Sequence, residues 1–200
     1  MFEVEKKFIL TPDQEKALIK GAEFLGEKKF TDIYYDDLNY ILTGQDLWLR
    51  SRDGKFELKI PMNKKLKERV SDQYKELETD AEILQYFEPG SKSTLAEFMA
   101  KNEFNPFCKI VTTRRKYKKD GFGIDLDITD FGFTVAEIEL MAKTAADMEK
   151  TTNKILTFAK KHKIEAAGAP WGKVIEFLRL NKPEHFQKLI VLGIIKQGKV

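Results

Sequence analysis

Apolar and charged residues alternate with period two along most of this chain, the signature of strands with one buried face. Residues 2–8 set Glu3, Glu5 and Lys7 on one side and Phe2, Val4 and Phe8 on the other, with Lys6 the one charge among the apolar residues. Residues 47–52 bring Trp48, Arg50 and Arg52 to one face, and 55–60 set Glu57 and Lys59 against Phe56, Leu58 and Ile60. Residues 72–77 put Tyr74 and Glu76 on one side. Later in the chain, 111–118 carry Arg114, Lys116 and Lys118 on one face, 123–128 carry Asp125 and Asp127, and 134–140 carry Glu137 and Glu139. Residues 30–35 read as one more strand. Asp53-Gly54 and Asp120-Gly121 fit two-residue type I′ hairpin turns, and Asp130-Phe131-Gly132 marks a third reversal.

Helical spacing interrupts this pattern. Thr11-Pro12-Asp13-Gln14 is a helix start with Thr as N-cap and Pro in the first turn. The spacing of Ala17, Leu18, Ile19, Phe24 and Leu25 predicts a helix ending near Gly26. Two short helices are predicted over 80–87 and 91–104, joined at Pro89-Gly90, and a longer amphipathic one over 145–162 with Met148, Ile155, Leu156 and Phe158 inward. After a break at 166–170, further helices are predicted over 171–180 and 183–192. Residues 36–46 read as a loop, 63–69 as a basic connector, and the tail from Gly193 as weakly specified. No repeat or long linker divides the chain, so 1–200 reads as a single α+β domain with most strands antiparallel.

The charged faces have two readings. Solvated outer faces with complementary cross-strand pairs, each worth roughly 0.2–1 kcal/mol, explain any one strand. They explain the whole set less well. Asp125/Asp127 and Glu137/Glu139 lie on strands joined by a short turn, so like charges crowd together unless a cation sits among them. The alternative is a closed or nearly closed antiparallel barrel with the charges inside and helices over its apolar outer faces, where acids bind a divalent metal and bases bind a polyanion.

Composition adds bounds. The 200 residues are 42% hydrophobic and 34% charged, as in a soluble globular protein, with a net charge of +3. A general nucleic-acid or membrane footprint is not implied. Cys108, the only cysteine, excludes an internal disulfide and fits a reducing compartment as a small buried residue. His162 and His185 are expected on helix surfaces. The start directly on a strand and the lack of an apolar run of membrane length make the cytoplasm the expected location. Without a long apolar seam the expected state is a monomer.

Taken in order, Glu3-Val4-Glu5-Lys6-Lys7, Trp48-Leu49-Arg50-Ser51-Arg52, Glu57-Leu58-Lys59, Tyr74-Lys75-Glu76-Leu77, Arg114, Asp125-Leu126-Asp127 and Glu137-Ile138-Glu139 resemble the CYTH superfamily, the triphosphate tunnel metalloenzymes, over about 2–192. The ExExK run at the start is its most recognisable motif. Tyr34-Tyr35-Asp36 and the Asp130-Phe131-Gly132 turn are most similar to the animal thiamine triphosphatase branch. The resemblance implies an eight-stranded antiparallel β-barrel, a tunnel with a charged interior, surrounded by helices. It also implies metal-dependent hydrolysis of the terminal phosphate of thiamine triphosphate, or of inorganic tripolyphosphate on the same tunnel.

Carried over residue by residue, the resemblance assigns Lys7, Arg50, Arg52, Lys59, Arg114 and Lys173 to the triphosphate. It assigns Glu3, Glu5, Asp125, Asp127, Glu137 and Glu139 to one or two Mg²⁺ ions, and Glu76 as a further tunnel acid. Lys59, with Tyr34 tuning it, is the candidate for handling the water proton. Trp48 is either a large ring filling one end of the barrel or, as the resemblance implies, the contact for the thiamine moiety. Arg115, Lys116 and Lys118 are expected to be solvated or secondary. Lys64, Lys65 and Lys67 are expected in a surface loop. A small triphosphate is the expected partner, with no nucleic acid and no membrane. A non-catalytic polyphosphate-binding module is the competing class, and it leaves the six carboxylates unexplained.

Overall fold

A computed structural model describes residues 2–62, 74–164 and 170–195. The basic connector with Lys64, Lys65 and Lys67, the start of the 72–77 strand, the break at 166–169 and the end of the tail lie outside the described residues. The alternating stretches form eight strands, β1 (Phe2–Phe8), β2 (Glu23–Asp36), β3 (Trp48–Arg52), β4 (Lys55–Pro61), β5 (Tyr74–Leu77), β6 (Asn105–Lys119), β7 (Phe122–Thr129) and β8 (Thr134–Ala142). Among the described residues there are six α-helices, α1 (Pro12–Ile19), α2 (Asp80–Phe87), α3 (Leu95–Lys101), α4 (Met148–Lys161), α5 (Lys173–Asn181) and α6 (Pro183–Val191). The strands make one sheet in the order β1-β8-β7-β6-β2-β3-β4-β5, with antiparallel pairing. The α+β class with eight antiparallel strands is what the chain forms. No helix among the described residues is long and apolar enough to cross a membrane.

Local chemistry sets most boundaries. At α1, the Thr11 side chain accepts from the Gln14 backbone and Gln14 reaches back to Thr11, a reciprocal cap that satisfies two helix-end donors. Asp53 and Gly54 both take positive φ, 49° and 86°, as a type I′ turn requires and as few residues other than Asp, Asn and Gly tolerate. Asp120 and Gly121 repeat this at 51° and 85°.

Several boundaries differ from the sequence expectation. Helix α1 stops at Ile19 rather than near Gly26, because Gly21 at φ 75° reverses the chain. Phe24 and Leu25 are then half-exposed strand residues, with Phe24 tilted against Tyr117 at 5.2 Å. Helix α3 spans 95–101 within the predicted 91–104. It is held at its start by a Thr94–Glu97 capping box, and strand β6 begins at Asn105, ahead of the predicted 111.

By internal contacts the chain divides into two compact units, one of Met1–Lys29 and Thr112–Glu176, the other of Phe30–Val111 and Phe177–Gln197. In the first, Val4, Phe8, Ile124, Leu126, Ala136 and Ile138 form one sheet face and bury against Leu18 of α1 and Met148, Ile155, Phe158 and Ala159 of α4. Each Val, Leu, Ile, Phe or Met among them contributes about 1.5–3 kcal/mol on burial. In the second, Leu49 and Leu58 pack with Ile83 and Leu84 of α2 and Leu95, Phe98 and Met99 of α3. Both cores leave the opposite, charged sheet face for other work. Cys108 is buried, as expected.

His185 departs from its expected place on a helix surface. It lies in the buried stripe of α6 with Phe186 and Leu189, stacks on Tyr40 at 3.7 Å and meets the Thr43 hydroxyl at 2.8 Å. Burial, aided by Lys182, pushes its pKa from 6.5 to about 4. The folded state therefore keeps His185 neutral where the unfolded chain protonates it. That contribution to stability is complete above pH 6.5 and is lost as the pH falls toward 4. Between those values the thermal midpoint of the wild type should fall more steeply than that of His185→Phe; parallel slopes would contradict the assignment.

Candidate active site

In the first unit, antiparallel register interleaves acids with bases. Asp127 stands opposite Arg114, Asp125 opposite Lys116 and Glu137, and Glu139 opposite Gly123 and Glu5, while Lys7 faces Glu137. Arg114 is the hub. Its Nε and Nη2 donate to the two Asp127 oxygens at 2.6 and 2.7 Å, Nη2 also donates to Glu137 at 2.7 Å, and Nη1 approaches Asp125 at 2.5 Å. Burial opposes the Arg114 charge, but Asp127, Glu137 and Asp125 outweigh it and raise its pKa, so the guanidinium is a permanent cation. Lys173, in the first turn of α5, reaches Asp127 as well. Burial lowers its pKa against the pull of Glu137 and Asp127.

Three carboxylates here are nearly sealed from solvent, Asp125 and Asp127 at 1% and Glu137 at 7% exposure. Both Asp127 oxygens are taken by Arg114 and Lys173, so Asp127 acts as an anchor for cations. Asp125 differs, because both its oxygens are buried without a hydrogen bond. Arg114 and, at 3.6 Å, Lys116 balance its charge. Burial raises its pKa despite those two cations. Lys116 also lies 3.4 Å from Glu139, and Lys7 pairs with Glu5. Lys116, expected to be solvated or secondary, thus spans two candidate metal acids.

Among the described residues, no group of three or more His, Cys, Asp or Glu side chains is already gathered for a metal. The donor chemistry nonetheless fits a hard divalent ion, which takes carboxylate oxygens. Asp125 has unspent oxygens, and Glu137, Glu139 and Glu5 are its neighbours in register. Gly123 makes room for this arrangement: a Cβ there would come within 2.4 Å of Glu139 Oε1 and 2.5 Å of its Cγ. Glu3 is exposed at the Met141 position of the β1–β8 ladder.

The second unit repeats the pattern. Arg52 forks onto Asp32 at 2.8 and 3.0 Å and lies over the Phe30 ring. Arg50 binds Glu57 through Nε and Nη2 at 2.8 and 2.5 Å and lies 3.9 Å from Asp32. Lys59 pairs with Glu76 at 2.6 Å. Burial works to raise the Glu76 pKa, but Lys59 holds it below the ordinary value. Tyr34 stands opposite Arg50, and burial pushes its pKa up to about 12 in spite of that cation. Its hydroxyl is therefore a donor at neutral pH. Trp48 stands opposite Lys59, is 6% exposed, meets Tyr34 edge-on at 6.5 Å and donates its indole N–H to Asp46 at 2.8 Å.

The first unit thus gathers Lys7, Glu5, Arg114, Asp125, Asp127, Glu137, Glu139 and Lys173. The second gathers Arg50, Arg52, Lys59, Glu76, Tyr34 and Trp48. Sequence reasoning gave no role to Asp32, Glu57 and Asp46, the acids that hold these bases and the indole. The alternation of Asp32 with Tyr34 and of Glu57 with Lys59 is the signal that marks two of them.

An antiparallel sheet with one apolar face and one face of interleaved acids and bases defines the class of protein. Residues 1–168 match the model of the CYTH domain, and the chain belongs to that family. It is 27% identical over 209 residues to a thiamine-triphosphatase of Homo sapiens, covering 95% of this chain and 90% of the relative. It is 25% identical over 217 residues to that of Macaca fascicularis, covering 98% and 93%. Among solved structures, the PH1819 protein of Pyrococcus horikoshii OT3 superimposes with a TM-score of 0.61 at 20% identity, covering 90% of this chain and 100% of that one. A putative adenylyl cyclase of Hippeastrum, described as having a dominant triphosphatase activity, gives 0.57 at 20% identity, covering 90% and 96%.

Replacing Arg114 with Met would leave three buried carboxylates short of their main counter-charge. Breaking a buried ion pair from one side costs about 3–5 kcal/mol. Urea denaturation of Arg114→Met should show a loss of that size, and a loss below about 1 kcal/mol would mean that the cluster is solvated.

Proposed function

We propose that this chain is a metal-dependent hydrolase that removes the terminal phosphate of thiamine triphosphate. The observation that carries the reading is the buried Arg114 cluster, in which guanidinium and ammonium groups are held by carboxylates on a sheet face. The thiamine-triphosphatase relatives at 25–27% identity support the substrate.

Lys7, Arg114 and Lys173 of the first unit, with Arg50, Arg52 and Lys59 of the second, are the proposed phosphate ligands. Arginine forks match pairs of phosphate oxygens, while lysine serves as a point charge. Asp127, Asp32 and Glu57 hold the arginines in orientation before substrate arrives. Asp125, Glu137, Glu139 and Glu5 would hold Mg²⁺, with Glu3 contributing through water. The ion supplies neutralisation of phosphate charge and help in positioning an attacking water. Lys59, paired with Glu76 at 2.6 Å, is the proposed residue for the water proton, and to take it the ammonium would first pass a proton to the Glu76 carboxylate. The Tyr34 hydroxyl oxygen accepts from Arg50 and helps keep it in place.

Trp48 is the proposed wall against the thiamine ring. A second reading, inorganic tripolyphosphatase, draws on the same residue, since an indole that is 6% exposed offers little open face.

Phosphate release from thiamine triphosphate and from tripolyphosphate, each with Mg²⁺ and with EDTA, separates these readings. The expected result is a metal-dependent preference for thiamine triphosphate, and Trp48→Ala should reduce that turnover at least about tenfold more than tripolyphosphate turnover, a difference of about 1.4 kcal/mol. Equal losses would remove Trp48 from substrate selection. Preference for tripolyphosphate would keep the charged clusters and remove thiamine. No hydrolysis of either by the wild type would leave a binding module.

A separate experiment addresses the metal acids. Gly123→Ala should displace Glu139 and raise the Mg²⁺ concentration for half-maximal rate about tenfold, equivalent to 1.4 kcal/mol of binding. Glu139→Gln should do the same. An unchanged Mg²⁺ dependence in both would exclude Glu139 as a ligand.

A further inference from the structure

The loop 37–47 of the second unit joins a buried hydrogen-bond chain at one end to Trp48 at the other. Asp36 accepts the backbone N–H groups of Asp37, Leu42 and Thr43, each at 2.9 Å. It also accepts the Thr43 hydroxyl proton at 2.6 Å. A hydroxyl has one proton to give. With that proton on Asp36, the 2.8 Å contact between Thr43 Oγ1 and His185 Nε2 requires His185 to donate. The order is therefore His185 N–H to Thr43 O–H to Asp36 carboxylate, and all three side chains are buried.

From Thr43 the chain continues without a gap. The Asp46 backbone N–H donates to the Thr43 carbonyl at 3.0 Å, and the Leu47 N–H to the Leu42 carbonyl at 3.0 Å. Asp46, in the left-handed region at φ 63°, then accepts the Trp48 indole N–H at 2.8 Å and the Tyr74 hydroxyl at 2.9 Å. On the outer side, Tyr40, also left-handed at φ 63°, lies flat on the His185 imidazole. Phe107 meets the same ring at 4.9 Å. Two left-handed non-glycine residues in one short loop need the surrounding contacts to hold them.

We propose that His185 and Thr43 are positioning residues for substrate selection. A helix 142 residues further along the chain fixes the loop, the loop fixes Asp46, and Asp46 fixes Tyr74 and Trp48, the latter opposite Lys59. This rests on the triphosphate reading for its substrate but not for its geometry. Loosening the pin frees the indole and penalises substrates that carry an organic group, while tripolyphosphate turnover is little affected.

The test uses Thr43→Val, which keeps the volume and removes the hydroxyl, and His185→Phe, which keeps an aromatic ring, somewhat larger, and removes the ring N–H, with Thr43→Ser as the conservative rescue. Each is made in the full chain carrying Trp171→Phe, so that fluorescence reports Trp48. In Thr43→Val and His185→Phe, Trp48 emission without substrate should shift to longer wavelength. KM for thiamine triphosphate should rise about tenfold, with kcat and the tripolyphosphate KM within about twofold. Thr43→Ser should restore both readouts. Unchanged emission overturns the proposal whether or not the protein hydrolyses thiamine triphosphate. Equal KM increases for both substrates overturn it too, since they describe a general loss of structure. If His185→Phe fails to fold, the comparison of Thr43→Val with Thr43→Ser carries the same test.

Discussion

Everything on the charged face of the first unit depends on how three buried carboxylates are neutralised. An isolated ionised carboxylate at 1% exposure is very unfavourable, and Asp125, Asp127 and Glu137 are neighbours on paired strands. Arg114 resolves this because a planar guanidinium can present separate N–H groups to different acids at once. Its contacts to Asp127, Glu137 and Asp125 span 2.5–2.7 Å. A lysine at the same place would supply charge without the fork. Lys173 completes Asp127, so the strand acids and the first turn of α5 are tied through one carboxylate.

The second unit reaches the same end with different partners. Asp32, at 1% exposure, is held by the Arg52 fork, and Glu57 by two nitrogens of Arg50. In each unit the bases are aimed by acids on adjoining strands, with hydrophobic cores behind the sheet giving those strands fixed register. Replacing the pairs with apolar residues often stabilises a protein. Stability alone therefore does not explain so many buried charges, and preparation for a charged ligand is the explanation that the proposed function gives.

Much of this was legible in the residues. Period-two alternation marked seven of the strands, residues 30–35 were read as one more, and the count of eight came from the family resemblance. The Asp-Gly pairs gave two turns, and the order of the ExExK, Arg50/Arg52, Asp125/Asp127 and Glu137/Glu139 runs led to the family. The misses have physical causes. Phe24 and Leu25 happen to fall at helical spacing from Leu18, and periodicity could not show that Gly21 takes positive φ and ends the helix first. His185 looked like a surface residue because its partners, Thr43 and Tyr40, are remote in sequence. Asp46 was overlooked since a lone acid in a loop carries no pattern, and Asp32 since its alternation with Tyr34 does not say which base it meets; their roles arise from a loop conformation and from strand pairing that only the fold supplies.

Asp125 shows why the acids and bases belong to one device rather than two. Its oxygens are buried, lack hydrogen bonds and face a guanidinium and an ammonium, so its charge is balanced but its lone pairs are unspent. Arg114 and Lys116 are correspondingly cations whose partners include an acid that does not hydrogen-bond to them. On the function proposed above, a phosphate oxygen would replace Asp125 as a partner of those cations, and a divalent ion would replace the cations as the partner of Asp125. Exchange of the two partners would cost little, because the charges have already been desolvated and oriented in folding. On that reading a polyanion and a metal would favour each other, since the ion would take up the Asp125 charge as the phosphate engaged the cations that now balance it.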